Sequence, residues 1–204
     1  MQHILHPENP DLQKIRLIAD LLDRGGVIVY PTDTVYALGC SLHHKRAIEK
    51  LAKLKEIKLK NANFSIVFND LSQLSEYAKH VDRPTFKILN KNLPGPFTFI
   101  LEATGKIQKL FDSPKQTVGI RIPDNNIVLK IIEYLGHPMV TTSIHDDDEI
   151  LDYSTDPDII VGNWENKVDA VIDGGFGLNV PSTVVNLADG EVEIIRQGIG
   201  EIRY

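Results

Sequence analysis

The side chains in this 204-residue chain that could do chemistry are hydroxyls and cations rather than a nucleophile paired with a base. Hydroxyls follow apolar runs and sit close to proline or glycine: Thr32 and Thr34, Thr98, Thr141 to Ser143, then Ser182 and Thr183. Arg121 lies within one apolar run and Arg196 at the end of another. A strand guanidinium is costly to bury without an anionic partner. That partner is either an internal Asp or Glu or a ligand, and the sequence leaves both open. Hydroxyls and guanidiniums converging from strand ends would make a place for a phosphate or a carboxylate. The concentrated positive charge runs from Lys45 to Lys60 and includes Lys55 and Lys58. It reads either as a solvated helix face or as a patch for nucleic-acid phosphates.

Other chemistries are poorly served. There is no phosphate-cradling Walker loop and no G-x-G-x-x-G fingerprint; Gly174-Gly175-Phe176-Gly177 fits neither spacing and reads as a loop. No H-E-x-x-H is present. The run His145-Asp146-Asp147-Asp148-Glu149 invites a hard-cation reading, but like charges in a row are better read as a solvated loop, so no metal site is expected. His43-His44 reads as a helix opening. Cys40 is the single cysteine, which excludes an intrachain disulfide and a cysteine zinc cage. Nothing beside it lowers its pKa, so it reads as a small buried thiol. The net charge of −6 excludes a basic field over the whole surface. No apolar run approaches the ~20 residues needed to span a bilayer, and no signal-like segment opens the chain. A cytoplasmic protein is expected.

These residues need elements to place them. Apolar spacing predicts helices over about Asp11 to Arg24, His44 to Lys55, Asp70 to Tyr77, Arg83 to Asn90 and Ile127 to Leu135. It predicts strands over Val27 to Tyr30, Phe64 to Phe68, Phe97 to Leu101, Val118 to Ile122, Met139 to Thr142, Val168 to Ile172, Thr183 to Leu187 and Glu191 to Ile195. Pro31 to Cys40, small and hydroxylated, reads as a loop. The mixture favours an α/β or α+β fold, one domain over residues 1–204 with a mixed sheet.

Six segments, in order, resemble those of one family. Pro31-Thr32-Asp33-Thr34-Val35-Tyr36-Ala37-Leu38-Gly39 is similar to the P-T-[DE]-T-x-Y-G-L-G opening of the YrdC/YciO family, whose characterised members are threonylcarbamoyl-AMP synthases. Leu93 to Thr98 resembles its P-G-P-x-T segment, Val118 to Pro123 its strand arginine, and Pro138 to Ser143 its P-x-x-[ST]-T-S strand end. Pro181 to Val185 and Arg196-Gln197-Gly198 resemble its P-S-T-[VI]-[VI] and R-x-G closings.

The resemblance implies a twisted open mixed sheet flanked by helices around a large concave cavity. It implies that L-threonine, bicarbonate and ATP with Mg²⁺ become threonylcarbamoyl-AMP and pyrophosphate, for the threonylcarbamoyl modification of tRNA. Thr32, Thr34, Arg121, Thr141 and Ser182 would hold threonine, with Arg121 on its carboxylate. Thr98, Ser143, His145, Arg196 and Lys55 would face the nucleotide, with Lys55, Lys58 and Ser143 serving the transfer. Two motifs depart from the synthase pattern. The K-x-R arginine position holds Ile57, and Ser143-Ile144-His145 replaces S-x-N. This resembles the YciO branch and leaves two expectations: a synthase, weak in activity, or a nucleotide- or double-stranded-RNA-binding protein of the same fold.

Overall fold

The computed structural model describes residues 1–144 and 155–204. The chain enters through a short strand, β1 (Gln2–Ile4), and helix α1 (Leu12–Asp23), which Asp11 caps through bonds from the Gln13 and Lys14 amides. Strands β2 (Val27–Tyr30) and β3 (Ala37–Ser41) form an antiparallel pair before α2 (Lys45–Leu54). There follow β4 (Ser65–Val67), α3 (Arg83–Asn92), β5 (Phe97–Glu102), α4 (Gly105–Phe111), β6 (Thr117–Arg121), α5 (Asn126–Leu135) and β7 (Met139–Ser143). The chain closes with α6 (Pro157–Trp164), β8 (Ala170–Asp173), β9 (Thr183–Asn186) and β10 (Glu193–Arg196). The ten described strands join one sheet in the order β1-β8-β2-β3-β7-β4-β6-β5-β9-β10. Parallel pairs such as β4–β6 and β5–β9 alternate with antiparallel ones such as β3–β7 and β5–β6, so the fold is mixed α/β.

Burial differs along the sheet. β2 is covered on both faces: Val27 and Val29 enter one core cluster, Ile28 and Tyr30 the other, where they meet Ile15, Ile18 and Leu22 of α1 and Ile127 and Ile131 of α5. Two-sided burial is why this strand reads as an unbroken apolar run. β5 alternates instead. Phe97, Phe99 and Leu101 are buried, while Thr98, Ile100 and Glu102 are half-buried on the other face. Among the described residues, no helix covers that second face, where Thr98 and Ile100 line a cavity.

Two elements depart from expectation. The last part of the stretch read as a loop, from Ala37 to Cys40, belongs to strand β3. It is wholly buried, so it lacks the alternation that marks a half-exposed strand. Gly39 is needed there because a Cβ would stand 2.7 Å from the Tyr30 ring. The helix expected from Asp70 to Tyr77 is only a single 3-10 turn, Leu74–Glu76, and Asp70 caps Ser72 instead of a longer helix. The short elements β1, α4 and α6 carry too little periodicity to be read beforehand. No described helix is long and apolar enough to cross a membrane.

Candidate functional site

The uncovered face of β4, β5, β6 and β9, with β7 and β10, floors a cavity of about 560 Å³. The pleat selects its residues. On β6, Thr117, Gly119 and Arg121 point into the hollow, while Val118 and Ile120 point into the core. Register aligns neighbours across strands: Ser65 lies opposite both Gly119 and Thr141, and Val184 lies opposite both Thr98 and Arg196. Gly119 opens the floor, since a Cβ would come within 2.5 Å of Ser65 Oγ.

Seven of the residues singled out from sequence line this one cavity: Thr98, Arg121, Thr141, Thr142, Ser143, Ser182 and Arg196. The Thr98 and Ser182 hydroxyls are 2.9 Å apart, and Arg196 donates to the Ser182 carbonyl at 2.9 Å. Ser182 is held in place because two segments are joined there. Gly198 donates its amide to Thr183 Oγ1 and Ile199 donates to Pro181 O. A Cβ on Gly198 would collide with Pro181 O at 2.2 Å, which explains the glycine after Arg196.

Arg121 is 7% exposed. One of its terminal nitrogens donates to Asp33 Oδ1 at 3.2 Å and to Thr34 Oγ1 at 3.1 Å, while its Nε makes no hydrogen bond. Of the two partners open to this arginine, an internal carboxylate is present, and one buried donor, Nε, remains unused while the residue also lines the hollow. Asp33 also accepts from the Asp124 amide, yet burial raises its pKa above the ordinary value despite the pull of Arg121.

Thr32 and Thr34 are buried behind Arg121 and do not line the cavity; their hydroxyls are 3.1 Å apart, and Thr32 donates to Val35 O. Thr141 lines it, but its hydroxyl donates to Leu38 O and lies 2.6 Å from the Tyr30 hydroxyl, whose pKa burial pushes up to about 12. Lys55 follows the end of α2 and Lys58 precedes the turn Leu59–Asn61; neither lines the cavity. His145, with the acidic run Asp146 to Glu149, lies outside the described residues. Within the basic run, Lys45 and Lys50 pair with Asp112 and Asp169 at 2.6 and 2.9 Å.

Sequence reasoning missed Asn63, Ser65, Lys115 and Thr117, all on the cavity wall. Lys115 lies in the irregular segment between Asp112, whose left-handed backbone ends α4, and β6. Its one signal was a charge two residues ahead of a strand. Cys40 is fully buried and burial pushes its thiol pKa up, as its apolar surroundings require. Among the described residues, no group of three or more His, Cys, Asp or Glu side chains is placed to hold a metal.

A family model for Sua5, YciO and YrdC proteins, described as "Telomere recombination", matches residues 20–198. The chain belongs to this family. It is 39% identical over 197 residues to an uncharacterized Haemophilus influenzae protein, covering 96% of this chain and 94% of that one. It is 36% identical to the uncharacterized protein YciO of Escherichia coli over 200 residues, 98% and 96% of the two chains. The crystal structure of E. coli YciO superposes with a TM-score of 0.89 at 35% identity, covering 98% of this chain and 97% of that one. The structure of Pyrococcus abyssi Sua5 complexed with L-threonine superposes at 0.86 and 26% identity, over all of this chain and 62% of that one. In this Sua5/YciO/YrdC chain, each of the six segments that resemble family motifs supplies at least one cavity-lining residue, the first through Val35.

Proposed function

We propose that the cavity binds L-threonine together with an adenine nucleotide and joins them through a carbamate, as an L-threonylcarbamoyladenylate synthase does. One observation carries this reading. Arg121 and Arg196 line the same hollow, with the Thr98–Ser182 hydroxyl pair on its wall. Arg121 offers its guanidinium to the threonine carboxylate, and Arg196, Thr98 and Ser143 serve the nucleotide. L-threonine in a relative with the same fold supports the first half of this assignment.

The chemistry suits a site without a nucleophile–base pair. Threonine and bicarbonate give the N-carboxylate and water. A carbamate oxygen then attacks the α-phosphate of ATP, the bond to the β-phosphate oxygen breaks, and pyrophosphate leaves with the electron pair. Such transfer depends on alignment and on neutralising charge. No carboxylate is among the described cavity-lining residues, so Mg²⁺ enters as part of the nucleotide substrate. ATP and threonine are cytoplasmic metabolites, and a cytoplasmic location accords with this reading. An RNA-binding role resting on Lys45 to Lys60 gains less support, because Lys45 and Lys50 are already ion-paired.

The test is release of pyrophosphate from ATP that depends on both L-threonine and bicarbonate, beside an active synthase as control. Turnover supports the proposal. Tight ATP binding with no threonine-dependent turnover would leave a nucleotide-binding protein of the same fold.

A further inference from the structure

The cations on the cavity wall differ in what balances them. Arg121 faces Asp33 at 3.2 Å, so the fold supplies its counter-charge. Lys115 is half-buried, and among the described residues its ammonium touches only neutral oxygens, the Ala62 carbonyl and Asn63 Oδ1. Among the described residues no carboxylate lies within ion-pair distance of it. Burial accordingly holds its pKa below the ordinary lysine value. Removing an ammonium from water without a counter-ion is unfavourable, and a lysine stem is long enough to carry its head back to solvent. Here the loop is instead tied down, because Ser113 Oγ donates to Lys60 O and fixes the turn before Lys115 against the segment that supplies Ala62 and Asn63. Two of the three ammonium N–H donors are used, which leaves one for a ligand.

Its place along the cavity adds to this. Thr117 and Arg121 both line the hollow from β6. Four residue steps of about 3.3 Å set them about 13 Å apart. Lys115 precedes Thr117, so it stands toward the end away from Arg121, with the bare floor at Gly119 between. A ligand lying along β6 therefore meets a cation at either end. A carboxylate matches the guanidinium end, and a compact, strongly charged phosphate matches an ammonium acting as a point charge.

We propose that Lys115 is a phosphate-contacting residue of the cavity, and that its ammonium takes the β- and γ-phosphates of the bound nucleotide, the part that leaves as pyrophosphate. The choice of nucleotide rests on the function proposed above; the contact itself requires only a polyphosphate. The N–H left over after Ala62 and Asn63 is donated to a phosphate oxygen, and the anion supplies a counter-charge that no described residue gives. The end of the cavity where the synthase motifs are altered thereby has a cation from another part of the chain.

The experiment titrates wild type, Lys115→Gln and Lys115→Arg by calorimetry with three probes: inorganic pyrophosphate, ATP with Mg²⁺, and L-threonine. Lys115→Gln should weaken pyrophosphate and ATP by about tenfold or more, the worth of one charged hydrogen bond. Lys115→Arg should keep most of that affinity, and thermal unfolding should show both variants folded. L-threonine affinity should not change. Equal pyrophosphate affinity in wild type and Lys115→Gln, or no pyrophosphate or ATP binding by wild type, overturns the assignment. If wild type binds pyrophosphate through Lys115 but makes no threonylcarbamoyl-AMP, the proposed function falls and the lysine contact stands. If wild type is an active synthase and Lys115→Gln keeps its ATP affinity, the reverse holds.

Discussion

Asp33 Oδ1 and an Arg121 terminal nitrogen meet at 3.2 Å, with both side chains about nine-tenths buried. The pair joins the loop after β2 to the end of β6, and Asp33 also accepts from the Asp124 amide just beyond β6. Burial raises the Asp33 pKa in spite of the guanidinium, so the ionised carboxylate is held at a net cost in solvation. Arg121 is thus fixed in direction at the cavity wall while its buried Nε makes no hydrogen bond. The fold aims this arginine without using all of its donors.

Asp33→Asn keeps one acceptor for Arg121 but turns the other into an amide donor facing the Asp124 N–H and removes the Arg121 counter-charge, a cost that does not itself vary with pH. The sign of the pH dependence follows from the raised pKa. The stability that the Asp33 carboxyl contributes is present below its unfolded value of 3.8 and is lost as pH rises through the higher folded value. Wild type should therefore lose ground to Asp33→Asn, in urea midpoints, as pH rises across that window. Wild type gaining ground there would contradict the account. Asp33→Ala, which removes both acceptor oxygens, should cost about 2 kcal/mol.

Arg121→Ala should weaken L-threonine on the order of 100-fold, the cost of truncating a buried charged contact. Arg121→Lys should recover only part of this, since an ammonium has no planar fork. Calorimetric titration with L-threonine reads both, and unchanged affinity in Arg121→Ala would remove this residue from the carboxylate site.

The sequence made part of the site legible because its motifs fall at strand ends, where hydroxyls and guanidiniums are out of place unless they serve a hollow. Arg121 and Arg196 were marked by their cost of burial, and they do share one cavity. The partner of Arg121 was not legible, since Asp33 lies 88 residues away and only the fold brings them together. Lys115 was not legible either, because one lysine in an irregular segment looks like any solvated charge. Lys55 and Lys58 drew attention through a motif and a charge run, yet neither lines the hollow. Strand β3 was hidden by burial on both faces, which erases the period-2 pattern.

Gly119→Ala and Gly119→Val should form a graded series. An added Cβ meets Ser65 Oγ at 2.5 Å and Thr98 Cγ2 at 3.2 Å. The serine can rotate away from one methyl, so alanine should be mild. Valine should cost roughly 1–3 kcal/mol from overpacking and fill the cavity floor. Thermal unfolding and ligand titration should separate the two effects, and full binding by Gly119→Val would show that ligands do not lie over β6.

Cys40 should resist iodoacetamide in the folded protein and react once urea unfolds it. It is fully buried, and its raised pKa leaves little thiolate. Mass spectrometry along a urea series should give a labelling midpoint that coincides with global unfolding. Rapid labelling without urea would place the thiol at a surface.

Thr183 offers a way to disturb Arg196 without touching it. The Thr183 hydroxyl, fully buried, donates to Gly200 O at 2.7 Å and accepts from the Gly198 amide at 3.0 Å. Thr183→Val keeps the shape but leaves that amide and carbonyl without this partner, at a cost of about 1–3 kcal/mol. The segment 196–200 should then loosen, and with it the grip of Arg196 on the Ser182 carbonyl. Nucleotide affinity should fall in this variant while L-threonine affinity holds, because Arg121 is positioned from the other side by Asp33 and Thr34. If stability drops and nucleotide affinity does not, Arg196 is held by its strand alone, and the closing R-x-G segment serves the fold rather than the site.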